Sequence, residues 1–193
     1  MSNEQRDMKS IKAFSDSEIL KEVRSGNRWI FAELIRRYQR QVSSVVHNML
    51  GRCVEAEDIG QEVFIRFYKA IHTFREESGV GTYLTRIAIN LSLNEIKRRK
   101  KWRNVFFNSL TADEIDTIEN LPNEVNDSEN NELKEQVDFA LSRLNINFRS
   151  VVILRLIEGY SVEETAEILN IAIGTVMSRL SRAQAKLRLL LEK

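Results

Sequence analysis

Proline and cysteine are almost missing from this chain: one of each in 193 residues, Pro122 and Cys53, with only seven glycines. Each scarcity excludes something. A lone cysteine cannot close an internal disulfide, so a reducing compartment is expected. So few turn residues argue against a sheet protein, which spends them at every hairpin. No apolar run approaches the ~20 residues that span a bilayer, and the polar, mixed-charge stretch 1–12 does not read as a signal peptide. With two histidines and one cysteine there is no clustered metal site, and no glycine-rich phosphate loop. His47 and His72 fall in expected helices, where packing or surface roles are the default. A cytoplasmic, all-α protein without cofactor, metal or catalytic residue is predicted.

What is present is partitioned. Hydrophobic residues make up 42% and charged residues 30% of the chain, a balance that suits packed helices with solvated faces. Residues 1–103 carry 20 Lys/Arg against 13 Asp/Glu; residues 104–133 carry 8 acids and no base; residues 134–193 carry 9 bases against 7 acids. Two basic blocks flank an acidic bridge, which the net charge of +1 conceals.

Helical punctuation divides the chain in the same places. Ser15 and Glu18 form a capping box for a helix ending near Gly26. Apolar spacing at Ala32, Ile35, Val42, Val45, Val46 and Met49 predicts a second helix up to Gly51. Third and fourth helices are predicted over 55–74 and 82–102. Residues 104–131 read as a flexible acidic linker, with a short helical turn near 112–118. The helical pattern returns at Leu133, Val137, Ala140, Leu141 and Leu144, and again over 151–157, stopped at Gly159. The expected organisation is therefore two small helical domains, 1–103 and 132–193, joined by a linker over 104–131.

Ser161 and Glu164 form a second capping box. The short helix it opens, the tight connection 170–174 and a long last helix make a helix-turn-helix pattern, whose second helix enters the major groove. At ~100° per residue, Thr175, Ser178, Arg179, Arg182 and Lys186 share one arc of the last helix. Ile173, Val176, Leu180, Ala183, Leu187 and Leu190 share another. One face docks; the other offers hydroxyls and cations suited to phosphates and base edges.

A second candidate surface lies in the fourth helix. Arg86, Asn90, Asn94, Lys97 and Lys101 form one stripe, and residues 97–103, which include Arg98, hold six cations in seven positions. Amides on a cationic stripe can both donate to and accept from bases. Phe74, Tyr83 and Trp102 are aromatics that could stack on bases exposed from the duplex.

The segments Glu57-Asp58-Ile59-Gly60-Gln61-Glu62-Val63-Phe64, Phe74-Arg75 and Thr82-Tyr83-Leu84-Thr85-Arg86-Ile87-Ala88-Ile89-Asn90 closely resemble region 2 of extracytoplasmic-function sigma factors. The segment Gly174-Thr175-Val176-Met177-Ser178-Arg179-Leu180-Ser181-Arg182-Ala183 resembles their region 4. The resemblance implies a dissociable sigma factor of bacterial RNA polymerase that binds the core enzyme and directs it to promoters. By residue, Asp58, Gln61 and Glu62, with Ile65 among them, match the surface that meets the clamp helices of the largest polymerase subunit. Arg86, Asn90 and Asn94 match the helix reading the −10 element, and the loop from Phe74 and Arg75 to Tyr83 matches the segment capturing a flipped non-template base. Ser178, Arg179 and Arg182 match contacts to the −35 element. Core polymerase and promoter DNA are the implied partners, with room for an anti-sigma factor, no membrane insertion, and a place on the nucleoid when polymerase-bound.

Three positions depart from the family pattern. Met177 stands where many members carry a base, and Ala172 and Asn145 where many carry proline. The two elements lie about two DNA turns apart, ~70 Å at 3.4 Å per base pair. A 28-residue linker spans at most ~90 Å and as a free coil only ~30 Å, so it is expected to be stretched when both elements are bound. From the residues alone, a duplex-binding helix-turn-helix regulator and a helical adaptor remain alternatives. The first would not need the Asp58/Gln61/Glu62 patch; the second would tolerate loss of Arg179 and Arg182.

Overall fold

A computed structural model describes residues 13–107 and 132–191. The expected linker turn at 112–118 and most of the linker lie outside the described residues. Among those described, eight α-helices and no strand form the fold: α1 (Asp16–Arg24), α2 (Phe31–Leu50), α3 (Val54–Ala70), α4 (Val80–Phe107), α5 (Glu132–Ser142), α6 (Ile146–Val152), α7 (Val162–Leu169) and α8 (Ile173–Leu191). A 3-10 turn over Arg28–Ile30 leads into α2, and a π turn over Ile153–Ile157 extends α6.

The capping box at α1 forms as expected: the Ser15 N–H donates to Glu18 at 2.6 Å, and the Glu18 N–H donates to the Ser15 hydroxyl. Ile19, Leu20 and Val23 then face inward on the helical repeat. Asn145 caps α6, its side chain accepting from the Asn147 N–H at 3.0 Å.

The third helix is shorter than the sequence suggests. The Ala70 carbonyl accepts from the N–H groups of both Thr73 and Phe74 and from the Thr73 hydroxyl. That turn satisfies the helix end and swings Phe74 inward. It also places His72 in a turn rather than in a helix.

Helices α2, α3 and α4 surround a core of Leu34, Val45, Val46, Met49, Val63, Phe67, Leu84, Ala88 and Ile89. Helix α4 reaches α2 at Gly81, where an added Cβ would lie 2.9 Å from the Tyr38 ring and 3.1 Å from the Gln41 side chain. Only a glycine lets the backbone come that near.

In the C-terminal unit, α8 packs across α6 and α7. Leu141, Leu144, Val152 and Ala183 form one small core, and Val151, Ala166 and Val176 another. The two units also pack on each other. Ile153, Leu154, Tyr160 and Ile168 join the N-terminal core. Polar contacts line the seam: the Gln41 amide donates to the Tyr160 hydroxyl at 2.7 Å, the Thr85 and Tyr160 hydroxyls are 2.9 Å apart, and Ser44 donates to Glu158 at 2.6 Å.

Glu33 anchors α2. It is 9% exposed and accepts from Arg36 at 2.6 and 2.7 Å and from Arg37 at 2.9 Å. The Arg36 hydrogen bonds lead in lowering its pKa from 4.5 to about 2, against the opposing effect of burial. A lowered folded-state pKa means this stabilisation is complete above pH 4.5 and is lost as pH falls toward 2. Glu33→Gln is therefore expected to cost about 1–3 kcal/mol at neutral pH and to flatten the acid limb of stability, read by urea titration across that window.

Candidate nucleic-acid interface

The stripe on α4 is set by what the helix buries. Leu84, Thr85, Ala88, Ile89, Leu91 and Ser92 are buried, which turns Asn90, Asn94, Lys97 and Lys101 outward into solvent. Arg86 lies at the same edge but is two-thirds buried, and its guanidinium donates to Glu167 of α7 at 2.5 Å.

The run of cations at the end of α4 is less free than its sequence suggests. Glu95 is 8% exposed and accepts two hydrogen bonds from Arg98, at 2.7 and 2.9 Å, and one from Arg99 at 2.9 Å. Those bonds, Arg98's foremost, hold the Glu95 carboxyl below its ordinary pKa. Arg99 also reaches Glu55 at 3.2 Å and the Cys53 sulfur at 3.1 Å. Arg98 remains on the surface but engaged, whereas Lys97 and Lys101 make no ion pair among the described residues.

The loop before α4 corrects one expectation. Phe74 is not a stacking platform: it is 8% exposed, with its ring 5.5 Å from Phe67 and 4.8 Å from Tyr83. The physical reason is the early end of α3, which turns the ring into the aromatic core. Tyr83 is half-buried against the same rings, while Arg75 extends into solvent with Glu77 3.9 Å away. Trp102 is 63% exposed. One residue that the sequence does not single out organises this loop. Arg24 donates to the carbonyls of Ile71 at 3.0 Å and Phe74 at 2.6 Å, and to the Glu76 carboxylate at 2.7 Å. Its position in the last turn of α1 carries no signal of contacts some fifty residues away.

On α3, Ala56, Val63, Phe64 and Phe67 face the core and Ile59 packs partly against it. Asp58 and Gln61 are exposed, Ile65 stands out with them, and Glu62 pairs with Arg66 at 2.8 Å. The four residues expected to form a protein-binding surface thus share one outward face.

The helix-turn-helix is built as its sequence predicts. Ser161 accepts from the Glu164 N–H at 3.0 Å, and Glu164 accepts from the Ser161 N–H at 2.7 Å. Asn170 takes the left-handed conformation (φ 51°) that ends α7, a geometry asparagine tolerates better than most residues. Helix α8 starts at Ile173, and Val176 and Ala183 seat it on the unit. That leaves Ser178, Arg182 and Lys186 exposed, with Thr175 and Arg179 half-exposed. Arg179, Arg182 and Lys186 have no ion-pair partner among the described residues. The Ser178 hydroxyl donates back to the Thr175 carbonyl at 3.1 Å. Ile173, which its spacing puts on the docking arc, is instead exposed, as is Met177.

Fold and surfaces together define an all-helical protein of two units, the second ending in a capped helix-turn-helix with a free cationic face. Residues 34–103 match the family Sigma-70 region 2, and residues 134–187 match Sigma-70, region 4. The chain is 32% identical over 183 residues to the ECF RNA polymerase sigma factor SigW of Bacillus subtilis, covering 88% of this chain and 92% of that one. Its fold matches the sigma factor RpoE solved with the anti-sigma factor NepR from Bartonella quintana (TM-score 0.68, 23% identity, 84% and 96% of the two chains). It likewise matches CnrH solved with the cytosolic domain of CnrY (TM-score 0.64, 22% identity, 90% and 95%). The chain belongs to the ECF group of the sigma-70 family and is a sigma factor for transcription initiation through RNA polymerase. No helix among the described residues is long and apolar enough to cross a membrane.

Because Phe74 is a core residue, Phe74→Ala is expected to lower stability by about 3–5 kcal/mol, with a matching fall in the thermal midpoint. Tyr83→Phe, which keeps the ring, is expected to leave that midpoint nearly unchanged.

Proposed function

We propose that this sigma factor reads two promoter elements with two separate surfaces, the −35 element with α8 and the −10 element with the α4 stripe. The observation that carries the reading is the α8 face. Thr175, Ser178, Arg179, Arg182 and Lys186 line one side of a helix whose neighbouring side is fixed by Val176 and Ala183, and its cations are unpaired among the described residues. Unpaired cations on a rigid helix suit phosphate neutralisation and base-edge contact, because no internal partner has to be displaced.

On α4, Asn90 and Asn94 offer amides and Lys97 and Lys101 offer charge, with Arg86 and Arg98 as further donors. The clamped loop from Arg75 to Tyr83 provides the capture surface for an unstacked non-template base, with Phe74 as the wall behind it. Opening then needs no nucleotide hydrolysis, since capture offsets the few kcal/mol of unstacking. Asp58, Gln61, Glu62 and Ile65 form the surface for the clamp helices of core polymerase: charged residues around an exposed apolar one suit a dissociable interface. The functional units are residues 1–103 and 132–193, with 104–131 spanning between them. RpoE and CnrH were solved with NepR and CnrY, which supports an anti-sigma factor as a third kind of partner. The site of action is the nucleoid in the cytoplasm.

Run-off transcription from genomic templates, with core polymerase alone and with this protein added, tests the whole reading. Promoter-dependent transcripts are expected only in the second case. Within it, Arg179→Ala and Arg182→Ala are each expected to cost about 1–3 kcal/mol in promoter binding where the arginine meets a base. Where it meets only phosphate, the salt slope of binding falls by about 1. Unchanged initiation in the double variant would remove α8 from promoter reading.

A further inference from the structure

Helix α8 turns more than its charged arc towards solvent. Val176 and Ala183 are fully buried and fix its rotation. At ~100° per residue, Gly174, Ser178, Ser181 and Ala185 lie within about 30° of the direction opposite to them. All of these are exposed, and a Cβ added at Gly174 would meet nothing within 4 Å. The outermost ridge of the helix is therefore made of its smallest side chains. Arg182 and Met177 flank that ridge, about 70° to either side of it. Arg179 and Lys186 are set back by about 110–130°, towards the packed side.

A ridge of small residues lets a helix sink into the major groove, where the longer side chains beside it meet base edges. Arg182 suits that place as a hydrogen-bond donor. Met177 does not, yet it is 60% exposed, and Ile173, one turn earlier, is 48% exposed beside it. The rest of α8 says what this apolar strip is for. The helix holds no acidic residue, while Arg179, Arg182, Lys186 and Arg188 all lie on it. Apolar side chains among cations and hydroxyls, on a helix without one acid, fit nucleic acid better than a protein surface. In the major groove the apolar feature on offer is the 5-methyl group of thymine. A polarizable thioether on rotatable bonds adapts readily to such a group.

We propose that Met177 is a specificity-determining residue of α8, whose side chain packs on a thymine methyl group in the upstream promoter element. The inference rests on the reading of that element by α8. It gives the departure at this position a chemical consequence. A cation there selects the O6 and N7 acceptors of guanine, whereas methionine can make neither bond and selects an A·T pair by its methyl group.

The test uses holoenzyme, core polymerase with the full-length chain. Duplexes randomised across the upstream element are selected for binding, and the recovered duplex is remade with each thymine in turn replaced by deoxyuridine. That exchange deletes one methyl group and keeps the base pair. At one position deoxyuridine is expected to weaken binding by the wild-type holoenzyme about fourfold, the worth of one buried methyl group. Met177→Ala removes an exposed side chain and opens no core, and is expected to bind both duplexes alike. Met177→Leu is expected to keep the discrimination, and Met177→Arg to move the preference at that pair from A·T to G·C. A recovered element without a methyl-sensitive thymine overturns the proposal, as does equal sensitivity in wild type and Met177→Ala. A Met177→Ala chain that assembles poorly with core polymerase, yet still discriminates once assembled, also overturns it and gives the strip to a protein partner. If selection with wild-type holoenzyme recovers no upstream sequence, promoter reading by α8 itself fails, a result distinct from each of these.

Discussion

At Gly81, helix α4 comes so near to α2 that a single added carbon would press on the Tyr38 ring. That approach fixes the rotation and depth of α4 in the bundle. With Leu84, Ala88 and Ile89 committed inward, the exposed edge of the helix has no freedom in which residues it shows. The same approach brings Gln41 and Thr85 side by side, where both meet the Tyr160 hydroxyl. One close contact between two helices thus presents the polar stripe and prepares the seat for the C-terminal unit.

Features encoded over a few residues are legible in the amino-acid order itself. Both capping boxes, Ser15/Glu18 and Ser161/Glu164, form as their spacing requires, because the groups involved lie within one helical turn. The orientation of α8 follows from its apolar arc for the same reason. What is not legible depends on distant partners. Arg24 and the loop it clamps are separated by some fifty residues, and Gln41 and Tyr160 by 119. Phe74, an aromatic beside an arginine and a glycine-bounded loop, has the sequence surroundings of an exposed ring; its burial depends on where α3 stops. The π turn at Ile153–Ile157 likewise has no local signature, and it places Ile153 and Leu154 against the N-terminal unit while Leu156 and Ile157 face outward.

Charge in the sequence is also a poor measure of charge on offer. The densest cationic run lies at 97–103, yet Glu95 engages both Arg98 and Arg99. The sparser cations of α8 have no such partners among the described residues. A buried carboxylate one turn upstream decides which arginines stand ready for an outside anion, and helical spacing supplies it without raising the count of acids noticeably.

Arg149 holds the seam in another way. Its guanidinium donates to the Met49 carbonyl near the end of α2 at 2.7 Å, and to the Ser142 carbonyl at the end of α5 at 2.5 Å. Burial pushes its pKa down, and none of its partners is a carboxylate. Dissolved ions screen exposed opposite charges over ~8–10 Å but do little to a desolvated cation bonded to neutral carbonyls. The ionic strength of the surroundings therefore divides the contacts between the units into two sorts. Salt loosens the Arg86–Glu167 pair, while Arg149, the Tyr160 hydroxyl and the apolar side chains keep the units aligned.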